Sequence, residues 1–488
     1  MKSTSTVENT LNASFRYLVR KGLLSQTLYY LVQIFVLQQE QFLLTTFRGF
    51  RWMESFVKIF PLIFLVQFEL PEFFEQFFAN KKMRLDAAGA MNDVKREEFY
   101  TNWVFLLCMV VIPAVPYICG FQAKEDSTMF LLSTIIGLVG PFKSSAYSQF
   151  GYKQNYICLM TGKMLTVALH YFTLMFIYSF YTRDKDFSTW PSGFAKPAAD
   201  IVVYIGLLMV LHKGNIFGAR ISLDESQLIK SSFKLHKNDI KEIGKNVLAF
   251  LQFVVFFVSR PVVYLFMAYK VDKLTNTTKR QHSVIDLYLY IFYQQSLSLI
   301  SKGIHSAIMT VMPTILYNQQ FKKMRLLNSY GLLIGFIINE ILCALLYMFI
   351  DAIFVLFVNK DNDPIIKAYY DAGLHKQLFG KTMFLIGTEV YQNAVITYAY
   401  ISNKHFIPFI IGTFKIIGGV YFIINIDSSL GQNASYKDAI YYFELLSTVV
   451  SFIFCTYAFI TLYTDFKDSK AAVKIVAKEV KRDDFMMG

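Results

Sequence analysis

Charge is what this chain has least of for its size. Only 17% of its 488 residues are Asp, Glu, Lys or Arg, against about 25% in a soluble domain. That excludes a chain whose surface lies mostly in water. Cysteine is scarce as well. Cys108, Cys119, Cys158, Cys343 and Cys455 all fall in apolar segments, and none forms a CxxC or Cys/His spacing. A disulfide scaffold and a zinc site of ordinary spacing are excluded, and free, buried thiols are expected. There is no glycine-rich phosphate loop, so direct use of ATP by this chain is not expected. No catalytic constellation stands out, so no enzyme activity is expected, and no cofactor or metal. The first 23 residues are polar and basic. They lack a short apolar core followed by a small-residue cleavage site, so no cleavable signal peptide is expected.

What the chain has is apolar and aromatic. Fifty-five per cent of it is hydrophobic, with 49 Phe and 31 Tyr. Apolar runs of about 20 residues recur along it, each long enough to cross a bilayer. They lie near 24–47, 53–78, 102–121, 127–148, 156–181 and 199–212, then 246–270, 290–316, 330–358, 380–400, 406–425 and 438–463. The expected fold class is an all-α polytopic membrane protein with about 12 transmembrane helices. The net charge of +13 sits in short loops between these runs. It reads as a topology determinant, not as a nucleic-acid surface. Segments on the side of the N-terminus carry about twice as many Lys and Arg as the others, which puts both termini in the cytoplasm.

The chain divides around a basic linker at 213–245. A polar lead (1–23) precedes a first six-helix bundle (24–212), and a second bundle (246–463) precedes a charged tail (464–488). Two echoes join the halves. KKMRL occurs at Lys81–Leu85 and again at Lys322–Leu326. Ala146-Tyr147 leads to Thr161-x-Lys163, as Ala399-Tyr400 leads to Thr413-x-Lys415. Both pairs fall at equivalent places in the two halves. Six spans is an even number, so the halves enter the membrane with the same orientation. They are parallel repeats, and a substrate site is expected between them near the midplane.

This layout resembles the multidrug/oligosaccharidyl-lipid/polysaccharide (MOP) exporter superfamily. Twelve spans in two bundles, a basic linker after the sixth, and basic loops after the second and eighth carry the likeness. The stretch from Asp272 to Phe357 is most similar to polysaccharide and lipid-linked oligosaccharide flippases, with an acidic residue, a Tyr-rich helix start and Pro313 just before the loop. The resemblance implies alternating access with no covalent chemistry on the substrate. It implies either flipping of a lipid-linked anionic oligosaccharide or, as an alternative, cation-coupled multidrug antiport of the MATE type. A third reading is a transporter-like structural subunit of a larger membrane complex. A monomer in a cell membrane is expected, with a lipid-linked glycan or a small organic molecule as partner and coupling to H⁺ or Na⁺.

Charges inside the spans are the candidate functional residues, because a charge at mid-membrane costs about 3 kcal/mol and faces a cavity or a partner. Lys302, Arg260 and Lys415 all belong to the second half. Cations in a dry cavity suit phosphate. The bland alternative is a buried salt bridge to Glu340, Glu389 or Glu40. His305 lies one turn from Lys302 and titrates near neutrality. Glu40, on a first span rich in glutamine, is the best candidate for ion coupling, with Glu389 and Glu340 beside it as candidates. Glu69, next to Pro71, reads as structural. Lys163 reads as a snorkelling lysine.

Overall fold

The structure is a computed structural model that describes residues 25–86, 91–118, 139–152, 156–181, 190–213, 215–216, 219–220, 237–317, 321–401, 404–429 and 436–465. The N-terminal lead, most of the linker, the start of the fourth span and the tail lie outside the described residues.

The first span is α1 (Ser25–Arg48). Its apolar Leu28, Leu31 and Phe35 are exposed, whereas Gln33, Glu40 and Gln41 are buried. The polar face therefore points inward, as the cost of exposing it to lipid demands. Gly49, at φ 56°, ends α1. The second span is α2 (Phe50–Phe64), a π-helical turn (Leu65–Glu69) and α3 (Leu70–Asp86) in series. Pro71 has no N–H to offer the Gln67 carbonyl, and the wider π turn absorbs the mismatch. Then come α4 (Met91–Ile118), α5 (Gly140–Tyr152), α6 (Tyr156–Tyr181) and α7 (Trp190–Lys213). A two-residue antiparallel hairpin, with Asn215 opposite Arg220, holds the only strands among the described residues.

The second half is built from α8 (Lys237–Asp272), α9 (Thr277–Tyr317) and α10 (Phe321–Met348). Phe349 breaks the ninth span before a short α11 (Ile350–Phe357). The ninth span is thus shorter than the apolar run to 358 suggested. A cap follows, with α12 (Pro364–Asp371) started by the Asp363 side chain, which accepts from Ile365 N at 2.8 Å. The tenth span is α13 (Leu374–Gly387) plus α14 (Glu389–Ile401), and α15 (Phe406–Ser429) and α16 (Tyr436–Asp465) complete the chain.

The packing repeats. In the first half α3 lies on α5, α6 on α7 and α1 on α6; in the second half α9 lies on α14, α15 on α16 and α8 on α15. By length and composition five helices can cross a membrane: Leu159–Ser179, Ile243–Asp272, Met324–Met348, Phe406–Asn425 and Tyr436–Thr461. Four of them, all but Ile243–Asp272, carry an exposed apolar stripe such as Leu333, Ile337, Ile341 and Leu345, at every fourth residue of α10. By contrast α9 is too polar to face lipid. It is buried without interruption over the described side chains from Ser283 to Leu299. It packs on α1, α2 and α3 of the first half as well as on α10, α13 and α14 of its own. At 41 residues it runs about 60 Å, roughly twice the bilayer core.

The halves touch at both ends. At the Gly49 end the contacts are polar. Lys58 Nζ lies 2.6 Å from Asp272 Oδ2, and Arg280 Nη2 lies 2.7 Å from Glu54 Oε1. Phe50 N donates to Asp363 Oδ2 at 2.8 Å. At the KKMR end they are aromatic. Phe73 of α3 stands 4.7 Å from Phe253 of α8, and Phe77 stands 5.3 Å from Tyr400 of α14, centroid to centroid.

Candidate functional site

Three buried ionic clusters organise the interior. The first lines a cavity of about 50 Å³ inside the first half, with Leu299, among the described residues, the one wall residue from the second. Room of that size holds about three or four waters. Its walls come from α1 (Tyr29, Gln33), α3 (Glu72, Glu75), α5 (Lys143), α6 (Lys163, His170) and α7 (Lys196). Lys163 Nζ sits 3.1 Å from Glu75 Oε1 and 3.6 Å from Glu72 Oε1. Across the cavity Lys143 and Lys196 share one carboxylate, Asp200, with Lys196 at 2.9 Å. Lys163 also lies 5.6 Å from the centre of the Tyr29 ring, and Lys196 lies 4.6 Å from that of Phe68. The wall is therefore polarised: two carboxylates face one lysine on one side, and two lysines hold one carboxylate on the other.

The second cluster is inside the second half. Arg260 on α8 pairs with Glu389 on α14 and, at 2.8 Å, with Glu444 on α16. Tyr264 donates to Glu444 at 2.6 Å. Gln392 donates to Glu389 at 2.8 Å and accepts from Lys415, which stands 4.6 Å from the Phe256 ring centre. Two cations meet two carboxylates, and Gln392 links them.

The third cluster joins the halves. Lys302 on α9 pairs with Glu69 at the end of the π turn, and its ammonium is 5.5 Å from the centre of the Phe64 ring.

The structure thus brings Arg260, Lys415 and Glu389 together and sets Lys302 apart, at the interface of the halves. Each of these three cations meets a group of the chain itself. Glu69, read as structural, is the partner of Lys302. Glu40 is in the first half, 4.0 Å from His170 Nε2. Glu340 is on α10, against Gly387 of α13 and away from the other candidate residues. His305 is on α9, and its side chain lies outside the described residues. Among the described residues no group of three or more His, Cys, Asp and Glu could hold a metal ion.

Sequence reasoning missed Glu72, Glu75, Lys143, Asp200 and Glu444. One signal was available: Glu69, Glu72 and Glu75 recur every third residue, which puts carboxylates along one helix face. The apolar runs leave 182–198, which holds Trp190, Pro191, Lys196 and Pro197, as a loop between the fifth and sixth spans. The helix begins at Trp190 instead, with Pro191 in its first turn, where no intrahelical N–H is needed. Lys196 and Asp200 are then an i,i+4 pair.

Outside the spans, Asp286 on α9 accepts from Tyr369 of the cap at 2.5 Å. Burial pushes its carboxyl up to about 7, against the opposing pull of the Tyr369 hydrogen bond and of Lys437.

No protein-family model matches the sequence, and none of the curated proteins does. Solved structures match over nearly the whole chain. A MATE transporter in complex with MaL6 superposes with a TM-score of 0.70 at 12% identity, over 94% of this chain and 98% of that one. A multidrug resistance MATE family transporter of the MOP superfamily, in its outward-facing conformation, gives 0.66 at 11% identity over 96% and 99%. A eukaryotic MATE transporter gives 0.61 at 12% over 98% and 99%. A MOP superfamily transporter from Pyrococcus furiosus, described as having a binding pocket of reversed polarity, gives 0.60 at 12% over 96% and 100%. At such identities the likeness establishes the fold: this chain has the two-bundle, twelve-span architecture of MATE transporters.

Proposed function

We propose that this chain is an alternating-access membrane transporter coupled to a small cation, H⁺ or Na⁺, which is loaded in the cavity of the first half. The observation that carries this is the size and chemistry of that cavity. It has room for a few waters, and two carboxylates, the buried Glu75 and the partly buried Glu72, share one lysine there. A site of that volume fits an ion and its water, not an oligosaccharide. The exported substrate is then a small organic molecule, exchanged for the ion, as in MATE-type antiport. The chain works as a monomer in a cell membrane with the KKMR end in the cytoplasm.

A second reading is flipping of a lipid-linked anionic oligosaccharide. Its support is the opposite wall, where Lys143 and Lys196 share only Asp200. That surplus cation suits a diphosphate once the halves part.

Proteoliposomes decide between them. Under an imposed proton or sodium gradient, ethidium should move in the opposite direction, and a fluorescent polyprenyl-diphosphate sugar should stay in its leaflet. Flipping of the lipid without ethidium movement would replace the first reading by the second.

A further inference from the structure

We infer that Lys302 passes the ionic state of the first-half cavity to the interface of the halves, by dividing its charge between Glu69 and Glu72. The inference rests on the proposed coupling role of that cavity.

The second span carries a ladder of three carboxylates, Glu69, Glu72 and Glu75. Two lysines form ion pairs with it among the described residues. Lys163, from the same half, takes the rungs at 75 and 72. Lys302, from the other half, pairs with the rung at 69 and lies within electrostatic reach of Glu72. The ladder thus has one carboxylate in excess, and Glu72 is the rung between the lysines. A proton or a sodium ion at Glu72 balances it.

Lys302 rides on α9, so it leaves the ladder when the halves part. An empty ladder would then keep two carboxylates in excess in a low-dielectric interior, which opposes opening. A loaded ladder loses less. Loading therefore favours separation, and Lys302 is the positioning residue that makes it do so. The π turn that ends at Glu69 supplies the movable joint, because the wider turn can be traded for a regular one by a small rotation of Glu69 relative to Glu72.

Other charges near the ladder do not replace Lys302. Lys143 lies within electrostatic reach of Glu75, but it and Lys196 are held by Asp200 across the cavity. Lys415 lies within reach of Glu69, but it is held by Gln392 in the second half. On α4 Glu98 is held by Ser145 and Ser148. His170 faces Glu40. Tyr29 and Tyr147 line the same cavity with phenols, which are neutral side chains.

The test is the distance between spin labels at Arg51→Cys and Thr278→Cys, both exposed positions at the Gly49 end on opposite halves. The full chain, with its native cysteines replaced by alanine, is placed in lipid nanodiscs and titrated from pH 8 to 5, and with NaCl at fixed pH. The unmodified ladder should show an open fraction that rises about tenfold on loading, the change expected of one unit of altered affinity. Lys302→Gln and Glu72→Gln should each reduce that to less than about twofold. Lys302→Arg should restore it. Glu69→Gln should keep it, because Lys302 then rests on Glu72 alone. A merely structural ion pair predicts that Lys302→Gln and Glu69→Gln behave alike, and that result overturns the inference. If the unmodified ladder shows no response to protons or sodium, the coupling role of the cavity fails first, and the inference with it.

Discussion

The two halves keep equivalent ions and use them differently. Lys163 and Lys415 occupy matching places in the fifth and eleventh spans, and Asp200 and Glu444 lie in the sixth and twelfth. In the first half these groups line a cavity. In the second they close on Arg260 and Gln392 in a balanced cluster. The difference comes from the second span and its repeat. The residues of α3 that face Lys163 are Glu72 and Glu75, whereas 241 residues on stand Pro313 and Leu316. Without those carboxylates, Lys415 turns to Gln392. A repeat that keeps its lysine and changes the opposing face can thus leave a polar cavity in one half and a closed ionic clamp in the other.

The comparison can be broken at the clamp first. Arg260→Ala leaves Glu389 and Glu444 buried without their cation. It should cost about 3–5 kcal/mol, read as a large fall in the melting temperature of the purified protein. A loss near that of a surface pair would mean that the second half is as open as the first.

The Gly49 end offers the next largest effect. Asp286 is raised in the folded protein, so its contribution is fully present below the usual carboxylate range and is lost as pH rises through about 7. Melting from pH 4 to 8 should show a decline of about 4 kcal/mol across that window. Asp286→Asn should flatten it.

Packing gives a smaller contrast. A Cβ at Gly412 of α15 would meet the Val255 carbonyl of α8 at 2.8 Å, whereas one at Gly162 of α6 would meet the Tyr147 ring at 2.9 Å. Backbone cannot yield and a side chain can. Gly412→Ala should cost about 1–3 kcal/mol in a denaturation assay and Gly162→Ala clearly less. The smallest effect is expected at the rim. Lys58→Ala breaks its partly exposed pair with Asp272 and should cost less than about 1 kcal/mol, falling further in high salt.

Much of this fold was legible. Apolar runs marked the spans, and the KKMRL and Thr-x-Lys echoes marked the repeat. The break at Phe349 was not legible, because the run from Ile341 to Phe357 has no glycine or proline. Beyond the break α11 packs on α1, with Thr45 donating to the Phe357 carbonyl at 3.3 Å, a tertiary contact that carries no local sign. The buried cations were legible as costly residues in need of partners. Their partners were not, since pairing depends on which helices meet. Arg260 was set beside Glu389 as one option of several, and Glu444, 184 residues away, carried no local sign. Glu72 and Glu75 were hidden by their neighbourhood. They lie near the charged end of the second span, where a carboxylate reads as solvated unless its spacing from Glu69 is noticed.

The central claim is that ions are exchanged in the first half and locked in the second. Gradient-driven ethidium movement in proteoliposomes, compared between Glu72→Gln and Glu444→Gln, tests it most directly. The account predicts that Glu72→Gln abolishes movement in a protein that melts normally, and that Glu444→Gln lowers the melting temperature yet still moves ethidium below it. Full transport by Glu72→Gln together with none by a folded Glu444→Gln would contradict it.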